Sequence, residues 1–369
     1  MRSAWGGDER RANAWEGLRE TLRSRFNPAA LHLTDSGTSA LAVALRGVFE
    51  ATGQAVAVPA YCCYDLATAL IGADVPFLLY DVSASTLSPD LPSLRRVLNA
   101  GAGSVVVAHL YGVPVDLGAV RHLTSEFGAV LIEDAAQGSG CEWLGKPAGA
   151  HGDIGVLSFG RGKGLTGGTG GALLVNNPGL TRMTALVDGL AVDLSGPKGS
   201  VGDVARLVAQ WIFGRPSLYW IPAALPFLAL GETPFRSPHP VGGISALAAA
   251  VLNHTIRLVP EEVQRRRRNA ARLRSALIGA AAFAVPDGWE AGWLRFPVVL
   301  QRTARSALTA HHRSLGIAPG YPLALPDLPG FGELSGNRAD DFAGARLLAQ
   351  RLATIPTHRF VRSTAVPAF

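Results

Sequence analysis

Cysteine is scarce in this 369-residue chain: there are three, and two of them are neighbours at Cys62 and Cys63. So few cannot build a disulfide framework, and adjacent residues rarely meet disulfide geometry. A reducing cytoplasm is therefore the expected compartment. No Cys-x-x-Cys pair lies nearby, so the two thiols read as packing residues and no metal site is expected. Charged residues are also few, 17% against 48% hydrophobic, which excludes a disordered chain. The opening residues MRSAWGGDERRANAWEGL carry charges and no apolar run, which predicts no secretory signal. Uninterrupted hydrophobic stretches are missing too. The most membrane-like segment, LVAQWIFGRPSLYWIPAALPFLALG (207–231), is broken by Arg215 and three prolines, so it reads as a buried or interface segment and not as a membrane span.

The net charge of +6 comes mostly from arginines scattered along the chain, with one dense run at Arg265–Arg268. No zinc or RNA-binding signature accompanies it, so no nucleic-acid partner is expected and the run reads as a solvated helix face.

The length allows one large domain and a smaller one. In the first half, short β-rich apolar runs at 55–61, 76–82, 104–112 and 129–137 alternate with helical patterns. These are SALAVALRGVFEATG, LATALIGAD, LPSLRRVLNAG and DLGAVRHLTSEFG. Such alternation predicts an α/β fold, with a mostly parallel sheet flanked by helices and ligands gathered at the carboxyl ends of the strands. Later the pattern turns helical and proline-broken. A helix is expected from Pro260 to about Gly279, opened by acidic residues and closed by glycine. A strand is expected over 293–300, with further helices over 306–316 and 339–355. The expected division is a large α/β domain over 1–235, including an N-terminal helical segment, and a small C-terminal α+β domain over 236–369.

What the chain does have in concentration is glycine around one lysine: SFGRGKGLTGGTGGALLV, residues 158–175, holds seven glycines. A nucleotide P-loop is excluded, because Leu157 stands where its first glycine belongs and Gly164 where its Ser or Thr belongs. Lys163 also falls between two predicted strands and not at a helix start. A lysine on a glycine-lined connection can instead approach a flat cofactor and form a Schiff base through its amine. Pyridoxal phosphate then requires a carboxylate for the ring nitrogen, a phosphate cup at a helix N-terminus and a side chain against the ring. Asp134, at the end of the strand AVLI, is the candidate carboxylate. DSGTSA (35–40) opens an apolar helix and offers the cup through Gly37, Thr38 and Ser39. Ser158 is a further phosphate candidate and Gln137 one for the ring hydroxyl.

The blocks SGTSAL, VPAYCCYDLATALIGADVPFLLYDV, HLYGVPVDL, IEDAAQGSG and GDIGVLSFGRGKGLTGGTGGALL, in this order and spacing, resemble the DegT/DnrJ/EryC1/StrS aminotransferases. These are fold-type I pyridoxal-phosphate enzymes known for aminating keto sugars. The resemblance spans residues 30–180, and more loosely the helix PEEVQRRRRNAARLRSAL and the closing LATIPTHRF. It implies pyridoxal 5'-phosphate as cofactor, with Lys163 as Schiff-base lysine, Asp134 as pyridinium partner and Gln137 as ring-hydroxyl contact. It implies Gly37, Thr38, Ser39 and Ser158 as the phosphate site. It further implies a homodimer and a transamination between an amino-acid donor, glutamate or glutamine, and a carbonyl acceptor.

Three departures stand out. The family's ring-covering aromatic falls nearest Cys63, so Tyr64 is the expected cover, with Tyr61 and Cys63 as alternatives. Thr169 replaces a usual acidic residue, and PHPVGGISALAAA (238–250) lacks the usual asparagine. These leave the acceptor open among a nucleotide-linked keto sugar, a cyclitol and a more apolar intermediate; Trp211, Tyr219 and Trp220 are candidates to line an apolar pocket. His109 reads as a packed residue near the site. The rival readings are a pyridoxal-phosphate enzyme performing elimination or cyclisation, and a non-catalytic regulator on the same fold.

Overall fold

The computed structural model describes residues 8–181, 235–278 and 280–359, with the single positions 184, 185, 189, 204 and 361. The segment 207–231, with Trp211, Tyr219 and Trp220, lies outside the described residues.

The first half alternates as expected: α1 (Asp8–Phe26), β1 (Ala30–Thr34), α2 (Gly37–Thr52), β2 (Ala55–Pro59), α3 (Tyr64–Ala73), β3 (Phe77–Tyr80), α4 (Leu91–Asn99), β4 (Ala102–Ala108), α5 (Leu117–Phe127) and β5 (Val130–Asp134). A short hairpin, β6 (Glu142–Trp143) and β7 (Lys146–Pro147), precedes β8 (Ile154–Ser158) and β9 (Gly171–Val175). The helices start where side chains can cap them. Ser36, Asp90 and Asp116 each accept a hydrogen bond from the backbone N–H three residues on, which satisfies one of the donors a helix start leaves open.

Seven strands form one sheet in the order β1-β9-β8-β5-β4-β2-β3. All run parallel except β9, which is antiparallel to both neighbours. Every residue of β4 is buried, because helices cover both faces of the sheet, and this explains why its strands are continuously apolar and not alternating. The carboxyl ends of β1, β2, β4, β5 and β8 share one edge. Since β9 reverses directly after β8, the loop 159–170 that carries Lys163 lies at that same edge.

The rest of the described chain begins against the large sheet's body. The helix Ala246–Thr255 lies on α1, with Trp15 Nε1 donating to Ile244 O at 3.0 Å and Asn253 Nδ2 to Ala14 O at 2.9 Å. The helix Val259–Ala276 follows, and then β10 (Ala280–Ala282), β11 (Trp289–Glu290), β12 (Arg295–Leu300), β13 (Ala318–Pro319) and β14 (Leu352–Pro356). Four of these form an antiparallel sheet, β10-β12-β14-β13, while β11 extends the β6–β7 hairpin. The arginine run is only partly a solvated face. Arg265 pairs with Glu261 and Glu262. Arg267 reaches across to Glu290 and donates to the carbonyls of Ala291 and Gly140.

Several expected elements end differently. The strand expected over 104–112 stops at Ala108 and turns through Leu110–Gly112, where Tyr111 takes a left-handed φ of 58°. The one expected over 129–137 stops at Asp134. The helix expected over 339–355 covers only Ala343–Arg351, and LATIP leaves it as β14 because β12 offers a pairing edge. The helix expected over 306–316 splits into Ala304–Ala307 and Ala310–Ser314, since Thr309 caps a new start with His312. Local helical pattern loses to tertiary pairing in the first of these two cases and to a capping box in the second.

Gly155, inside β8, faces the backbone of Gly149 so closely that a Cβ there would overlap the Gly149 carbonyl oxygen. Gly155→Ala should therefore lower stability by about 1–3 kcal/mol or more through overpacking. Denaturant unfolding measures this, and an unchanged midpoint would show that the two backbones can separate freely.

Candidate active site

At the shared carboxyl edge lies a partly open pocket. Lys163, Asp134, Gln137, Ser158, Thr38 and Gly37 all line it. Those six come from three separate stretches, following β1, β5 and β8, and meet only because these parallel strands end together.

One end of the cavity is built for an anion. Gly37 opens α2 immediately beside Ser158, and a Cβ on Gly37 would lie 2.6 Å from Ser158 Cβ and 2.9 Å from its hydroxyl. Only glycine lets the helix start approach the strand end so closely. By helix geometry the N–H groups of Gly37 and Thr38 have no intrahelical acceptor, and they carry the positive end of the helix dipole. Ser39 departs from expectation. Its N–H donates to Ser36 Oγ at 3.1 Å and its hydroxyl accepts from Ser36 Oγ at 3.0 Å. It is 3% exposed and does not line the cavity. Ser39 thus takes part in capping, and of these residues Gly37, Thr38 and Ser158 line the cavity.

Asp134 ends the central strand β5 and accepts a hydrogen bond from Ala136 N–H at 2.9 Å. Burial nevertheless pushes its carboxyl above the ordinary value, against the opposing pull of that N–H and of the Lys163 charge, with the nearby Asp65 adding to the rise. A carboxylate left under-compensated at the floor of a cavity calls for a cationic partner. Lys163, on the wall, bears electrostatically on Asp134, Cys62 and Cys63 alike.

Gln137 is held from both sides. Its Oε1 accepts from Tyr111 N–H at 2.9 Å and its Nε2 donates to Tyr321 Oη at 2.8 Å. Tyr64 is the second correction. Its hydroxyl faces away from the cavity, accepting from Leu323 N–H at 2.8 Å and donating to Leu323 O at 3.1 Å. It is the first residue of α3 and is buried against Tyr321 and Leu323, and Cys63 at the N-cap lines the cavity in its place. Burial, and then the charge of Asp65, push the Cys63 thiol up to about 11, so it stays protonated at neutral pH. Tyr61 is fully buried behind the wall.

His109 lines the cavity and is also fixed. Its Nδ1 accepts from Val115 N–H at 3.0 Å, which leaves the proton on Nε2 to face Glu133 Oε1 at 2.8 Å. Glu133 is fully buried and also accepts from the N–H groups of His151 and Gly152 at 2.8 Å. Burial opposes its ionisation, but these hydrogen bonds and His109 win and hold its carboxyl below the ordinary value. The sequence reading missed Glu133, Asp65 and Tyr321. A glutamate inside the apolar run VLIED was a usable signal for the first. Asp65 was hidden in a helix start, and Tyr321 arrives from 184 residues beyond Gln137. Among the described residues no group of three or more His, Cys, Asp or Glu side chains is placed to hold a metal ion, and no helix is long and apolar enough to cross a membrane.

The cavity fits pyridoxal phosphate. It offers an anion cup, a lysine amine and a buried carboxylate in want of a cation. A sheet with one reversed strand, carrying these groups at its carboxyl edge, is the architecture of the fold-type I class. The chain belongs to the DegT/DnrJ/EryC1/StrS aminotransferase family, whose model matches residues 27–195 and 242–367. It is 35% identical over 147 residues to the L-glutamine:2-deoxy-scyllo-inosose aminotransferase of Streptoalloteichus tenebrarius, covering 40% of this chain and 35% of that protein. The enzyme of the same name from Micromonospora echinospora is 26% identical over 244 residues, or 66% of this chain and 52% of that protein. The chain thus spans about a third to a half of the length of the curated relatives it matches. The crystal structure of the sugar aminotransferase CalS13 from Micromonospora echinospora shares the fold, with a TM-score of 0.71 and 19% identity over 97% of this chain and 94% of that one.

Asp134→Asn removes the buried charge and should stabilise the cofactor-free protein, raising its Tm by about 2–4 °C near neutral pH. Because the folded-state carboxyl is raised, ionised Asp134 costs stability as pH rises, and the difference between the two proteins should close as pH falls and both states protonate. Thermal unfolding across pH tests this; a variant of lower Tm at neutral pH would contradict it.

Proposed function

We propose that the chain is a pyridoxal-phosphate aminotransferase, moving an amino group from an amino-acid donor, glutamine or glutamate, to a carbonyl acceptor of the keto-cyclitol or keto-sugar class. The observation that carries this is the convergence of Lys163, Asp134 and the Gly37–Thr38–Ser158 cup on one cavity. Family membership and the inosose aminotransferase names of the relatives support it.

When bound, pyridoxal phosphate supplies an aldehyde for a lysine amine and a conjugated ring that takes up negative charge. The chain's own residues do the rest. The α2 N-terminus with the hydroxyls of Thr38 and Ser158 holds the phosphate and so fixes the ligand's orientation. Asp134 would supply the carboxylate that holds a proton on the ring nitrogen by charge attraction. Gln137 offers an N–H to a ring oxygen. Lys163 Nζ acts as the covalent anchor and, when released, carries a proton within the cavity. Cys63 is the side chain placed to lie against the ligand.

The remaining organisation enters on the same footing. A large body built on the seven-stranded sheet and a small body built on β10-β12-β14-β13 form the two domains, with the division taken at 235/236. A homodimer and a cytoplasmic location complete the reading. Three free cysteines, with no disulfide among them, favour the latter.

Lys163→Ala should abolish the visible absorbance of the lysine-linked cofactor and lower amination by roughly 10³-fold or more. Spectroscopy of the reconstituted protein, with mass spectrometry of products from glutamine and a panel of keto sugars and keto-cyclitols, checks both. A variant that kept band and turnover would remove Lys163 from the mechanism.

A further inference from the structure

The chain has six tyrosines, and four of them, Tyr61, Tyr64, Tyr111 and Tyr321, meet behind one wall of the cavity. Tyr321 stands at the centre, its ring centroid 5.7–5.8 Å from each of the other three. Its backbone N–H donates to Tyr61 Oη at 3.0 Å, and Tyr61 Oη lies 3.2 Å from Tyr111 Oη. Gly320 permits this approach, because a Cβ there would overlap the Tyr61 hydroxyl and lie 3.1 Å from that of Tyr111. The segment 320–323 is therefore pressed into the wall by its own backbone and not merely laid over it.

The hydroxyl of Tyr321 has a more specific place. It accepts from Gln137 Nε2 at 2.8 Å; the Cys63 thiol donates separately to Asp65 Oδ2 at 3.4 Å. Gln137, Cys63 and Asp65 all line the cavity, whereas Tyr321 does not. The direction of the row is set at its start. Tyr111 N–H can only donate, so the atom of Gln137 that faces it is the oxygen, and Nε2 faces Tyr321. An amide nitrogen has two protons. Tyr321 takes one, which leaves a single N–H of Gln137 for anything bound in the cavity.

We propose that Tyr321 is a positioning residue: through its hydroxyl it sets the donor that Gln137 presents to the bound cofactor. This rests on the pyridoxal-phosphate reading above. It also gives the C-terminal half of the chain an indirect hold on the cofactor, through Gln137 of the N-terminal half. A phenylalanine at 321 keeps the ring packing and loses only the hydroxyl, so Gln137 Nε2 loses its partner.

The test is a double-mutant cycle on the reconstituted holoenzyme, with Tyr321→Phe, Gln137→Leu and the double variant. The readouts are pyridoxal phosphate affinity and the visible absorbance maximum, with circular dichroism and Tm confirming the fold. Tyr321→Phe is expected to weaken the cofactor by about tenfold and to shift the band. In the Gln137→Leu background the same change should do much less, since the amide it positions is gone. Equal effects of Tyr321→Phe in both backgrounds would make it a packing residue and overturn the proposal. So would an unshifted band with unchanged affinity. If Gln137→Leu and Tyr321→Phe are silent while Lys163→Ala abolishes the band, the positioning role fails and the cofactor reading stands. If Lys163→Ala keeps the band, the cofactor reading itself fails.

Discussion

A carboxylate held at the floor of a cavity, with too little to compensate it, is the constraint around which this molecule is arranged. Asp134 must sit at the end of the central strand, because only there does the sheet bring it level with Ser158, the α2 N-terminus and the Lys163 loop. Its burial is costly in the free protein, and one backbone N–H and one lysine charge do not offset the cost. A ligand with a positive charge beside Asp134 and a negative one at the α2 N-terminus would complement both ends of the site, as the proposed cofactor does. The neighbouring Glu133 shows the alternative outcome. Two backbone N–H groups and His109 satisfy it fully, so it is a settled structural charge and not a reactive one.

The fold serves this arrangement through two local devices. Reversal of β9 throws the glycine-rich loop back over the strand ends, which places Lys163 without lengthening the chain. Gly37 allows a helix dipole to abut Ser158, converting an ordinary helix start into an anion cup. Against this frame, the C-terminal half contributes by contact. Arg267 is anchored on Gly140 and Ala291, β11 extends the β6–β7 hairpin, and Tyr321 reaches Gln137.

Much of this was legible in the sequence. The βα alternation and the strand–loop–strand setting of Lys163 are local signals, and the sheet follows from them. What could not be read were choices made by packing at single positions. Ser36 takes the N–H and the hydroxyl of Ser39, drawing that serine into capping, and it does not line the cavity. The turn into α3 exposes Cys63 to the cavity and buries the Tyr64 hydroxyl against Leu323, although the two residues are adjacent. LATIP has the apolar content to finish a helix but becomes a strand because β12 is there to pair with it. The Tyr321–Gln137 contact joins residues far apart in the chain, and neither carries a local mark of the other.

The chain has three lysines, Lys146, Lys163 and Lys198, so the central claim can be examined one residue at a time. Protein loaded with pyridoxal phosphate, reduced with borohydride, digested and analysed by mass spectrometry should carry the pyridoxyl adduct on the peptide containing Lys163. An adduct confined to Lys146 or Lys198, or none on a protein that shows the bound-cofactor absorbance, would contradict it.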